Sequence, residues 1–85
     1  MNRDTLVATM LVAAPWLSEA QANTLLDGTE EERKFIVAAR ATASVTEGPE
    51  VWQTLLNVLG AAANVAGAVS GISSAISGVY ALRSL

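Results

Sequence analysis

The chain contains neither cysteine nor histidine. Without thiols there is no disulfide framework and no thiolate metal site. Without imidazole the commonest general base and transition-metal ligand is missing. Any metal would have to be held by carboxylates alone, and no stretch has the ligand spacing of a calcium loop. Charge is scarce too, at 15% of residues against about 25% in an average soluble protein. With a net charge of −3 and no basic cluster, the electrostatic footprint of a nucleic-acid binder is absent, because such binding rests on neutralising phosphates. A nucleic-acid partner is therefore not expected.

What remains is largely apolar and unevenly distributed. Residues 1–50 hold all eight acids and the basic residues Arg3, Arg33, Lys34 and Arg40, whereas Arg83 is the only charge after position 50. Eighty-five residues make one domain at most, with limited capacity to bury a core alone. The organisation expected is a small helical head, residues 1–48, joined to a long uncharged assembly helix, residues 49–85.

Apolar residues recur at helical spacing throughout, and no period-two alternation long enough for a strand occurs. A first helix is expected over 4–14, with Asp4 as N-cap and Leu6, Val7, Met10 and Leu11 as its apolar face. Pro15 disfavours the helical region for Ala14 and ends it. Ser18 and Gln21 have the spacing of a capping box opening a second helix over about 19–27, closed by Gly28 in the left-handed region. Thr29 and Glu32 repeat the capping box, and acids at 30–32 suit the positive end of a helix dipole. In this third helix, running to about Ser44, Phe35, Ile36 and Ala39 are expected to face inward, with Glu30 and Lys34 paired on the solvent side. Residues 6–17 followed by Ala20-Gln21-Ala22 have some features of an export signal, but Asp4 neutralises Arg3 in what would be the basic leader, so they are read as structure.

Gly48-Pro49 breaks the chain, with Pro49 suited to the first position of a fourth helix. From 51 to 82 no residue is charged, and at about 100° per residue two opposed stripes emerge. One is aliphatic: Val51, Leu55, Val58, Ala62, Val65, Val69, Ile72, Ile76 and Val79. The other is small or polar: Gln53, Asn57, Gly60, Asn64, Gly67, Gly71, Ser74 and Gly78. Trp52, Leu56 and Leu59 widen the apolar face where the short helices would sit. A continuous helix over 49–83 would be about 50 Å long and would project beyond the head. The fold class expected is all-α, three short N-terminal helices packed on the start of one long Gly/Ala/Ser-rich helix.

Four glycines on one helix face cost about 1 kcal/mol each relative to alanine, a cost that close helix packing offsets, since small residues let backbones approach. The leading expectation is accordingly a non-enzymatic structural protein that self-associates into a ring, tube or filament, as in a phage virion. Val58, Val65, Val69, Ile72, Ile76 and Val79 would supply dry contact, and the small/polar stripe close approach. Its partners would be copies of itself or other helical assembly proteins, in a virion or at a membrane rather than free in the cytosol.

A membrane-active oligomer, pore or holin-like, is the alternative. The uncharged length suits a bilayer core of about 30 Å. Yet the stretch is rich in Gly, Ala and Ser and carries Gln53, Asn57 and Asn64, so insertion of a solitary helix would be marginal. A helical adaptor that binds a partner's helix in a groove is the third reading. No catalytic, cofactor-binding or metal-binding residue is expected. Glu30, Glu31 and Glu32 point to different sides of a helix and form no facing acid/base pair, and the Gly67-to-Gly71 segment has no histidine to activate Ser70.

Overall fold

The computed structural model describes residues 2–83, with position 63 described by its backbone only. The chain is all-α: the N-terminal helices pack on a long last helix. These are α1 (Arg3–Ala13), α2 (Glu19–Asp27) and α3 (Glu30–Ala43), followed by a 3-10 turn (Pro49–Trp52), α4 (Gln53–Gly60), a second 3-10 turn (Ala63–Val65) and α5 (Ala66–Arg83).

Local chemistry sets the first three helices. Asn2 caps α1, its side chain accepting from the Thr5 backbone N–H at 2.8 Å. Asp4, expected to be the cap, instead lies in the first turn. Ala14 leaves the helical region at φ −134°, ψ 78°, as the proline after it demands. Both capping boxes form: Ser18 with Gln21 and Thr29 with Glu32 satisfy each other's backbone donors. Gly28 is extended at φ −71°, ψ 173° rather than left-handed, because Thr29 must start the next helix at once. Glycine is needed there for space, since a Cβ would stand 2.5 Å from the Thr24 carbonyl oxygen.

The inner face of α3 is turned from the one expected. Ile36, Val37 and Ala41 are buried, whereas Phe35 is 76% exposed and Ala39 also faces solvent. The third helix is held from two sides, by α2 and by α5, and their shared surface follows the 33, 37, 41 row. The Glu30–Lys34 pairing is not among the ion pairs of the described residues, which are Arg3–Asp27 and Arg40–Glu47.

The largest departure is in the fourth helix. It does not run unbroken from 49 to 83. Ala62 is extended at φ −98°, ψ 107°, and the chain doubles back so that α5 lies along α3 and against α2 and α4, while α4 packs on α1. The molecule measures 39 × 22 × 20 Å, and no rod of about 50 Å projects from it. Doubling back takes apolar surface out of water, at about 25 cal/mol per Å², that an extended helix would leave uncovered. Trp52, Leu55 and Leu59 from α4 and its approach join Ile72, Ala75, Ile76 and Tyr80 from α5 in one core with Met10, Leu25 and Val37. Leu56, expected beside Trp52 and Leu59, is half-buried.

Candidate interaction surface

The two stripes of the uncharged segment retain their opposition although the helix is divided. Every member of the aliphatic row is buried or half-buried: Leu55, Ile72 and Ile76 lie in the core, Val51, Ala62, Val65, Val69 and Val79 pack at its margin, and Val58 is half-buried. That row is therefore engaged within the chain. The small/polar row points outward, with Gln53, Asn57, Gly60, Asn64, Gly67, Ser74 and Gly78 exposed and Gly71 half-buried. Gln53 and Asn57, one turn apart, bond to each other through Nε2 and Oδ1 at 3.0 Å.

The glycines divide by what surrounds them. At Gly71 the space is filled by Arg33, whose Cζ would lie 2.8 Å from an added Cβ. Arg33 in turn donates from Nε to the Leu25 carbonyl at 2.9 Å and from Nη2 to the Leu26 carbonyl at 3.2 Å. It thereby satisfies carbonyls that the end of α2 leaves open. Gly71 is small for a reason inside the chain. Gly60 and Gly67 meet nothing within 4 Å, and Gly78 meets only Lys34 Cε at 3.8 Å. Internal packing does not require glycine at those positions. The exposed face of α5 runs through Ala66, Gly67, Ser70, Ser74, Ser77, Gly78, Ala81 and Leu82; as far as Ala81 it carries no side chain larger than serine. The charged groups flanking it are Arg33, Lys34 and, at its end, Arg83.

A second arrangement, at the opposite end of α5 from its start, was not anticipated from sequence. Trp16 and Trp52 meet edge to face with centroids 4.8 Å apart. Arg40 lies 4.6 Å over the Trp16 ring and grips the Glu47 carboxylate from Nε and Nη2 at 3.0 and 2.7 Å. The Trp52 indole N–H reaches the Tyr80 hydroxyl at 3.4 Å. Arg83 stacks 5.1 Å over Tyr80 and donates to the backbone carbonyls of Glu47, at 2.7 Å, and Val45. The segment 44–48 is thus clamped by two arginines from different helices. An open groove of about 580 Å³ lies beside it, lined among others by Thr46, Pro49, Ser77 and Arg83. Because Arg40 and Arg83 direct their donors to the chain itself, the cluster reads as a structural clasp. The only sequence sign of it was that Arg83 is the lone charge after position 50.

Where an acid and a basic residue do meet beside a cavity, as Arg3 and Asp27 do, they are engaged with each other in an ion pair. Glu32 is held below the usual carboxylate range by the Thr29 backbone N–H and hydroxyl. Glu50 is likewise lowered, by its own backbone N–H, then that of Gly48, with a smaller contribution from Arg83. Both are local capping effects. Among the described residues no group of three or more His, Cys, Asp or Glu side chains converges as a metal site. No helix among them is long and apolar enough to cross a membrane.

Comparison of this chain with protein-family models, with curated proteins and with solved structures finds no match.

Proposed function

We propose that this chain is a non-enzymatic structural module that self-associates through the outer face of α5. The observation that supports this most is the open space at Gly67, with only a loose contact to Lys34 Cε at 3.8 Å at Gly78, on a helix face otherwise made of alanine and serine as far as Ala81. A solvent-facing helix surface ordinarily carries long charged side chains, as α3 does here with Glu31, Glu32 and Lys34. Keeping glycine where nothing within the chain asks for it costs helix stability, and a second helix seated closely on the face offsets that cost by backbone approach and dispersion contact. A face of small residues from Ala66 to Ala81 is complementary to its own copy, so the favoured partner is a second molecule of this chain. An isologous contact closes as a dimer; a repeated heterologous one gives the ring, tube or filament that a virion component would use.

This differs in mechanism from a continuous double-seamed helix. The aliphatic row serves the internal core, which leaves the small/polar row as the intermolecular surface. A membrane-active oligomer has less support, since the uninterrupted uncharged span divides at Ala62. Light scattering across a concentration series tests the reading: the average mass should rise above the monomer as concentration increases. A mass that stays monomeric at every concentration overturns it.

A further inference from the structure

The break between α4 and α5 consists of one residue. From 49 to 83 every position lies in an α-helix or a 3-10 turn, or in the helical region at Ala61, except Ala62. The sequence at this point, Ala61-Ala62-Ala63, is made of the residue with the highest helix propensity. No proline interrupts it, and the 3-10 turn after Ala62 has no side-chain cap at the junction. The aliphatic row also keeps its spacing of four and three through the break, as Val58, Ala62, Val65 and Val69, which a hairpin does not require. Local preference and tertiary structure disagree here. What bends the chain is the seat of α5 on α3, where Ile72 and Ala75 are fully buried.

That seat is indifferent to which chain supplies the helix. We infer that residues 49–83 have a second state, a continuous helix in which Ala62 turns helical, and that two chains in this state exchange their α5 helices to form a swapped dimer. The occupant of the α3 seat is then α5 of a second copy, making the same contacts that one chain makes with itself. Both copies recover the buried core, and each gains the hydrogen bonds of an uninterrupted helix. Short hinges joining two packed elements are where such exchange occurs. The inference extends the self-association reading but does not use the outer face of α5, so the two can fail separately.

The absence of cysteine permits a direct test on the full chain. Gln53 and Ala81 are exposed and flank the Trp52–Tyr80 contact, so labels placed there stand close together in the hairpin. In a continuous helix they would be about 42 Å apart, at 1.5 Å per residue. The Gln53→Cys, Ala81→Cys chain is spin-labelled, mixed with excess unlabelled chain, unfolded, refolded at high concentration and fractionated by size. The dimer fraction should give an intrachain distance shifted to about 42 Å, and the monomer fraction a short one. Ala63→Pro should abolish the dimer and leave the monomer helical, because proline suits the first position of a 3-10 turn after an extended residue but forbids a helical Ala62. A dimer with the short distance, no dimer after concentrated refolding, or a dimer that survives Ala63→Pro overturns the inference. A short-distance dimer lost in a Gly67→Glu, Gly78→Glu chain would leave face-to-face association standing while removing exchange.

Discussion

The guanidinium of Arg33 fills the space in which a side chain at Gly71 would begin, its Cζ 2.8 Å from where a Cβ would stand. The same group closes the C-terminal end of α2 through the Leu25 and Leu26 carbonyls. One side chain on α3 thus ties α2 to α5, and it fits only because α5 offers no side chain at 71.

Gly67→Ala and Gly71→Ala should therefore behave differently. Alanine at 67 meets open space and should stabilise the chain by roughly 0.5–1 kcal/mol through helix propensity. At 71 that gain is opposed by displacement of Arg33 from hydrogen bonds worth about 0.5–1.5 kcal/mol each, leaving a neutral or negative balance. In an Arg33→Ala background, Gly71→Ala should become stabilising. Urea denaturation of the four-member cycle reads the coupling; equal effects of Gly71→Ala in both backgrounds would remove the Arg33 account.

On α3, Phe35→Ser should change stability by no more than about 0.5 kcal/mol, as exposed substitutions do. Val37→Ala, at a fully buried position, should cost about 1–3 kcal/mol, because a cavity is added to the lost transfer energy. Thermal melts followed by circular dichroism separate the two. The reverse order would restore the inner face expected from sequence.

This contrast shows what a sequence reading reaches. The two capping boxes and the proline stop after α1 are local chemistry, settled within a few residues, and each was legible at Ser18, Gln21, Thr29, Glu32 and Pro15. The division of 51–82 into an aliphatic and a small/polar row was legible too, since periodicity survives a bend, but the aliphatic row, expected to supply contact between copies, lies in or beside the chain's own core. The bend itself was not, because Ala62 carries no breaker and turns only under the pull of α5 on α3. Phe35 misled because its hydrophobicity suggested burial, whereas the neighbours that decide the face of α3 lie far along the chain. The roles of Arg33, Arg40 and Arg83 depend on partners in other elements and left almost no local mark.

Arg83→Ala should release the segment 44–48. Its two backbone carbonyl partners lie 36 and 38 residues earlier in sequence, so only the fold keeps them together. Amide hydrogen exchange at residues 45–48 should accelerate while the centre of α5 keeps its protection. Unchanged exchange there would mean that Arg40 and Glu47 hold the segment alone.

Acid should weaken the fold through groups whose folded pKa is depressed. Asp27 is lowered by its hydrogen bond to Arg3, which also raises Arg3; Glu32 and Glu50 are lowered by backbone N–H groups. For such groups the unfolded chain binds protons more readily than the folded one. Their stabilisation is present above the ordinary carboxylate values of about 4 and is lost as pH falls through the lower folded values. Melting temperature should be level near neutrality and decline below about pH 4.5. Asp27→Asn should flatten part of that decline at low salt; an unaltered slope would count against the Arg3 pairing.

The central claim is that the outer face of α5 exists to be contacted by another copy. Its most direct measurement is light scattering of the native chain beside a Gly67→Glu, Gly78→Glu chain at matched concentrations, with helicity recorded for both. Because neither position is filled from within, the substituted chain should fold with undiminished helicity yet remain monomeric at concentrations where the native chain gains mass. Identical mass curves for the two chains, whether both monomeric or both associated, would contradict the claim.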